Sequence, residues 1–263
     1  MFVDSHCHLD FPELANRVGE VLTSMAENRV THALCVGVSL KTQPRIMALV
    51  AERANLFASV GVHPEHKDEA SPSIEELLGW ASDPKIVAIG ETGLDYFWHK
   101  EDLAWQQQRF RNHIRAARKC AKPLIVHMRE AAVDTLTIME EERAGDVGGV
   151  MHCFTESLSV AEKALALGFH ISFSGIVTFK NAKALKAVAQ AVPLERMLIE
   201  TDAPYLAPSP YRGRINEPTY VKFVAEEIAR LRGISLEEVA EKTSQNFFRL
   251  FGITKTETMG GAS

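Results

Sequence analysis

Short apolar runs alternate along the chain with longer stretches in which apolar residues recur every three or four positions. Eight runs stand out, at residues 2–8, 33–38, 57–62, 86–91, 124–127, 150–154, 170–173 and 197–201. Each is rich in Val, Ile, Leu or Phe, the pattern of strands buried on both faces of a parallel sheet. The stretches between them read as helices: 16–28, 73–81, 102–121, 131–142, 159–167 and 183–191, with 218–232 and 235–251 forming a helical C-terminal end. In the first, Val18, Val21, Leu22 and Met25 follow the 3.6-residue period; the second opens Ser-Ile-Glu-Glu, a capping-box signature. Eight strands separated by helices predict an α/β fold, a (β/α)8 TIM barrel in a single domain over residues 1–253. The competing architecture is a doubly wound open sheet, but no GxGxxG follows the first run, so a dinucleotide site is not supported. Residues 203–216, with Pro204, Pro208, Pro210 and Gly213, are the longest irregular stretch and would lie over the C-terminal face of the barrel. The polar residues 254–263 read as a disordered tail.

The candidate chemistry falls at the ends of these runs. His6 and His8 end the first, Glu91 the fourth, His127 the fifth, His152 lies in the sixth and Asp202 follows the eighth, while His63 follows the third. In a parallel barrel all strand ends converge on one face, where active sites are built. Alternate residues of a strand share a face, so His6 and His8 would point inward together and Cys7 toward the helices. The same parity places Cys153, next to His152, outside the site. A lone HxH pair is usually incidental, and a lone strand-end His is more often structural. The conjunction is different: burying four imidazoles with two carboxylates costs several kcal/mol unless they are paired or metal-bound. Six donors exceed one tetrahedral site and suit two divalent ions sharing a carboxylate. Glu91, central in strand order, is the natural bridge. His6, His8 and Asp202 would hold one ion, because strands one and eight adjoin in a closed barrel, and His127 and His152 the other. Imidazoles favour zinc or manganese, and magnesium prefers oxygens.

Composition narrows the partners. The net charge of −5 gives no broad basic surface, so a nucleic acid would need a local basic cleft or bound cations to attract it. The cysteines Cys7, Cys35, Cys120 and Cys153 form no CxxC pair. With no secretory leader and no apolar run of about 18 residues, the expectation is a cytoplasmic monomer with reduced thiols and no membrane partner.

These residues sit in segments that resemble the TatD family of metal-dependent hydrolases, within the amidohydrolase-like barrels, and in particular its YcfH-like branch. The segments are DSHCHLD (4–10), GVHP (61–64), IGETGLDY (89–96), PLIVHMRE (123–130), HCFTE (152–156), SFSGIVTFKNA (172–182) and IETDAPYLAP (199–208), together spanning nearly the whole chain. HxHxD alone would mark only the broader superfamily; the joint match is specific. The loop after Asp202 departs from the pattern: relatives tend toward Gly-basic-Asn-x-Pro, whereas here Ile215 separates Arg214 from Asn216. The resemblance implies a deoxyribonuclease, often a 3′→5′ exonuclease on single-stranded DNA, dependent on magnesium, manganese or zinc. It also implies His6, His8, Glu91, His127, His152 and Asp202 as ligands.

On this reading Asp202, partly a ligand, would also accept the proton of the attacking water. His63 would contact the phosphate or protonate the leaving oxygen; its bland alternative is a structural His before Pro64. Arg129 would pair with a phosphate, or merely solvate the start of a helix. Tyr96, in a run with Phe97 and Trp98, would stack on bases, or pack the barrel rim. Arg214, with Arg212, would supply local positive charge, or be a solvated loop residue. The same six ligands would serve a deacylase of aminoacyl-tRNA or a small-molecule amidohydrolase. A non-catalytic metal-binding protein is the rival from another class, though a structural site needs no bridging carboxylate.

Overall fold

In the computed structural model, which describes residues 1–254, eight parallel strands run β1 (Phe2–Cys7), β2 (Val30–Cys35), β3 (Leu56–Val60), β4 (Ile86–Asp95), β5 (Leu124–Arg129), β6 (Gly149–Met151), β7 (Phe169–Phe173) and β8 (Met197–Ile199). Each pairs with the next in sequence order. The helices are α1 (Pro12–Ala15), α2 (Val18–Glu27), α3 (Gln43–Ala51), α4 (Ile74–Ala81), α5 (Ala104–Cys120), α6 (Ala132–Glu141), α7 (Leu158–Ala166), α8 (Lys183–Ala191), α9 (Val221–Arg232) and α10 (Leu236–Leu250). This is the single-domain (β/α)8 barrel expected from the alternation. The expected tail lies, apart from Thr254, outside the described residues. Among the described residues no helix is long and apolar enough to cross a membrane.

Helices α1 and α3 lie outside the expected set. Pro44 occupies the first turn of α3, where its missing N–H costs nothing and its fixed φ suits the helix. Ser73 caps α4 as its sequence promised: its hydroxyl accepts from the Glu76 N–H at 3.1 Å, and the Glu76 carboxylate accepts from the Ser73 N–H at 2.8 Å. Strand β4 runs four residues past Glu91, to Asp95. Gly93 permits this. A Cβ there would lie 2.0 Å from the His127 carbonyl oxygen, and its φ of +136° is one that L side chains rarely adopt.

The seam between β8 and β1 closes beyond the end of β8. Cys7 and Ala203 form a parallel bridge, the His8 N–H donates to the Ala203 carbonyl at 2.8 Å and the Asp202 N–H to the His6 carbonyl at 2.9 Å. Below it the buried Asp4 carboxylate accepts from the Thr201 N–H at 2.9 Å and hydroxyl at 2.5 Å. One apolar cluster fills the layer between strands and helices. A second joins Val3, Leu34, Phe57, Ile125, Val150 and Leu198 to Phe247, Phe248 and Phe251 at the end of α10. These aromatics close the N-terminal end of the barrel, so the other end is left for the site.

Candidate metal centre

The seven strand-end residues singled out in the sequence are brought together at the C-terminal end of the barrel. Six of them, all but the deeper His6, line one open cavity of about 620 Å³. Glu91 is at the centre. Its Oε2 lies 3.3 Å from His6 Nε2, and its Oε1 lies 3.2 Å from His63 Nε2, 3.1 Å from His127 Nδ1 and 2.8 Å from His152 Nε2. Asp202 Oδ1 closes the far side, 3.6 Å from His6 Nε2 and 3.5 Å from His8 Nε2. Sharing Glu91 among imidazoles is what the strand order predicted.

The expected set of His6, His8 and Asp202 is brought together, but the donors do not fall into two separate groups. The ring of His152 stacks on that of His6 with centroids 3.9 Å apart, so His152 does not stand only with His127. The compact donor groups are His6 with His8 and Glu91, His6 with His152 and Asp202, and His63 with Glu91 and His127. The cause is the alternation in β1. Its ladder to β2 shifts register between Asp4 and Cys7. Ser5 reaches Ser172 of β7 across the interior at 3.3 Å, and the next residue, His6, also points inward. His6 thus sits deeper than regular spacing from His8 would place it.

The ring nitrogens facing away from the cluster decide which lone pairs face into it. His8 Nδ1 lies 3.1 Å from the Val36 carbonyl, His127 Nε2 2.9 Å from Asp95 Oδ2 and His152 Nδ1 3.1 Å from Glu200 Oε1. Each partner is an acceptor, so that nitrogen carries the proton and the other ring nitrogen offers its lone pair inward, as metal-binding imidazoles do. His63 is the opposite. Its Nδ1 accepts the Glu65 N–H at 3.1 Å, so in the neutral ring Nε2 carries the proton and points a donor at Glu91. His63 therefore stands apart from the ligands, although it lies within their range.

The charge distribution fits a cation. Burial pushes the Glu91 carboxyl up, but the charges of His152, His63 and His6 and the hydrogen bond from His127 outweigh it and hold it well below the ordinary range. Asp202 is likewise held down against burial, by the hydrogen bond from His8 and the charges of His6 and His152. Burial lowers His8, His127 and His152, yet the carboxylates beside them outweigh burial and raise all three. Burial wins at His6 and His63, which are lowered; positive charge is stabilised at His8, His127 and His152, where divalent cations compete for the same lone pairs. The residues present therefore suit divalent metal ions.

Cys7 points away from the cluster, with its thiol toward the Leu34 carbonyl, as parity predicted. Cys153 does not follow the rule. Strand β6 ends at Met151, Cys153 takes a left-handed φ of +44°, and its side chain lines the cavity with Sγ 3.2 Å from Ser174 Oγ. Alternation holds only while the backbone is extended.

Of the expected substrate contacts, Arg129 lines the cavity. Tyr96 turns away from it and packs against the core. Its hydroxyl donates to Asp134 Oδ2 at 2.7 Å and accepts from Gln107 at 2.9 Å. Burial pushes this phenol up to about 12. Arg214 stands exposed beside Tyr211, 5.8 Å from its ring centroid, and does not line the cavity.

Three residues that shape the site were not singled out in the sequence. Asp95 and Glu200 fix the His127 and His152 rings. Glu200 lies two residues before Asp202, the same spacing that paired His6 with His8. Arg109 is buried in α5, and its guanidinium donates to the His63 carbonyl at 3.2 Å and the His66 carbonyl at 2.9 Å, holding the His63 loop from behind.

The sequence profile described as TatD related DNase matches residues 3–252. The chain is 48% identical to the metal-dependent hydrolase YcfH of Escherichia coli K12 over 95% of this chain and 96% of that one. It is 43% identical to the metal-dependent hydrolase YabD of Bacillus subtilis, over 96% of this chain and all of that one. Among solved structures it is similar to YjjV, a TatD homologue of E. coli K12, with a TM-score of 0.91 and 28% identity over 96% of this chain and 98% of that one.

Proposed function

The chain belongs to the TatD-related DNase family and is a metal-dependent hydrolase; on that premise we propose that it is a phosphodiesterase that degrades single-stranded DNA from the 3′ end. The observation that carries this reading is the convergence of His6, His63, His127 and His152 on the single carboxylate of Glu91, with Asp202 opposite, in a cavity open to solvent. Shared carboxylates of this kind hold paired divalent ions. His6, His8, Glu91, His127, His152 and Asp202 would hold two such ions, zinc, magnesium or manganese, which supply Lewis acidity toward water and a phosphoryl oxygen.

The chain's own residues do the rest. Asp202, held ionised by its imidazole neighbours, accepts the proton of the attacking water. His63 presents Nε2–H to the cavity and donates it in a hydrogen bond to a phosphate oxygen or to the departing 3′ oxygen. Arg129, on the cavity wall, adds a charge-assisted contact to a phosphate.

The test uses the full chain reconstituted with magnesium, manganese or zinc, and 5′- and 3′-labelled single strands. Stepwise shortening from the 3′ end is expected. Asp202→Asn should lower kcat by about 10²- to 10⁴-fold with a much smaller change in KM. Equal turnover in that variant would remove Asp202 as the base. No metal-stimulated cleavage of DNA, with release of amino acid from a misacylated tRNA under the same conditions, would replace the nuclease reading with a deacylase on the same site.

A further inference from the structure

Seven large apolar side chains are exposed among the described residues, and all but Met1 stand in loops or first helical turns that follow the C-terminal ends of strands; of these Tyr205 lines the cavity. Two are consecutive and aromatic: Phe97 is 39% exposed and Trp98 60%. They occupy the loop from β4 to α5, beside Arg129 at the end of β5. Exposed aromatic surface costs free energy in water, and its concentration at one place points to a binding surface.

The geometry is that of a stacking platform. The Arg129 guanidinium lies over the Phe97 ring at 3.8 Å from its centroid and 5.8 Å from that of Trp98, and the two rings meet edge to face at 4.8 Å. No carboxylate among the described residues pairs with Arg129. Its charge is thus free for a phosphate while its flat face is held by the ring. The loop is also fixed to the metal centre. Asp95 Oδ1 accepts the N–H groups of Phe97 at 2.9 Å and Trp98 at 3.2 Å, while its Oδ2 holds His127 Nε2 at 2.9 Å. One carboxylate therefore sets both the orientation of a metal-binding imidazole and the position of the aromatic pair. Lys100 ties the same loop to Glu130 at 2.6 Å.

We propose that Trp98 and Phe97, backed by Arg129, form a platform on which one unpaired nucleobase of the substrate stacks, at an offset from the metal centre fixed by Asp95. The inference rests on the nuclease reading and adds to it the element that selects single strands. A base still paired in a duplex cannot present its face to the indole, whereas any unpaired base can, whatever its identity. A protein partner is a weaker fit, since the exposed patch combines a guanidinium with no carboxylate partner and flat rings, and that guanidinium also lines the metal-centre cavity.

Trp98→Ala removes a largely exposed side chain and leaves the core intact. With the metal-loaded full chain and a labelled oligothymidylate, KM is expected to rise about 10- to 100-fold with kcat changed less than about 3-fold. The same oligonucleotide with abasic residues at its 3′ end should bind the wild type as weakly as the intact strand binds Trp98→Ala. Quenching of tryptophan emission by the intact strand in the presence of a chelator, lost in Trp98→Ala, reads the platform without any turnover. If the wild type cleaves nothing but the quenching is seen, the nuclease reading fails and the platform stands. If cleavage occurs but intact and abasic strands behave alike, or the variant's KM is unchanged, the platform is overturned and the nuclease reading stands.

Discussion

At His8, His63, His127 and His152 both ring nitrogens are engaged, and the outer one is what distinguishes a lone pair facing the cluster from a donor; His6 Nδ1 is buried without a partner. His152 presents Nε2 inward because Glu200, fully buried, accepts at Nδ1; the same Glu200 oxygen accepts the Cys153 N–H at 2.7 Å. Replacing the carboxylate by an amide keeps the shape and removes the charge that makes the imidazole a stronger base. Glu200→Gln is expected to weaken metal binding about 10- to 100-fold, measured by competition with a chromophoric chelator, with activity regained at high metal. Unchanged affinity would reduce Glu200 to a packing residue. His63 carried the same strand-end signal in the sequence as the ligands, because residue type and position do not reveal the tautomer. That depends on the Glu65 N–H, a neighbour supplied by the turn after His63.

At the scale of elements, the strands were legible because apolar runs buried on both faces need no partner to be recognised. Strand ends were less so. Strand β4 continued past its run on the strength of Gly93, and β6 stopped early enough to swing Cys153 into the cavity. The loops depend on elements distant in sequence. Residues 63–69 are held by Arg109 of α5, whose guanidinium donates to the His63, His66 and Glu69 carbonyls. Burial lowers this guanidinium's pKa, against the pull of Glu69. Arg109→Met would fill much of the volume but remove three part-buried hydrogen bonds; the His63 and His66 carbonyls keep the N–H groups of His66 and Glu69, while the Glu69 carbonyl loses its guanidinium partner at a cost of about 1–3 kcal/mol. A loss of about 1–3 kcal/mol in urea unfolding is expected, with faster amide exchange over 63–69 than elsewhere. Retained stability would mean that the loop is held by its own turns. Asn216 does the same for the loop after β8, donating to the Thr201 carbonyl at 2.9 Å and the Tyr205 carbonyl at 2.6 Å.

For the whole molecule, stability and pH are linked through histidines that have no part in the centre. His113 is fully buried; its Nε2 accepts the Val62 N–H at 3.1 Å and its Nδ1 donates to the Arg109 carbonyl at 2.8 Å. Burial pushes it down to about 4. The unfolded chain then binds a proton more readily than the folded one. Stability from this residue is full above about pH 6.5 and is lost as pH falls toward 4. Between pH 7 and 5 the loss is about 2 kcal/mol. His113→Gln should flatten the pH dependence of urea unfolding by about that amount over this window, and an unchanged slope would mean that the ring is already charged in the fold. His170, pushed by burial to about 4 as well, adds loss in the same direction.

The sequence by itself determined the barrel and which strand-end residues gather at its candidate metal site. Hydrophobic periodicity depends only on local order along the chain, and parallel strands in sequence order must gather their ends on one face. It therefore named His6, His8, His63, Glu91, His127, His152 and Asp202 correctly as neighbours. Tertiary structure decided how those neighbours divide the work. The register shift in β1 set the depth of His6, the turn after β3 set the tautomer of His63, and the hydrogen bonds of Tyr96 to Asp134 and Gln107 turned that ring from the cavity while leaving Phe97 and Trp98 exposed beside Arg129. Each of these depends on contacts between residues remote in sequence or on backbone that is no longer extended, and the period of a pattern carries neither.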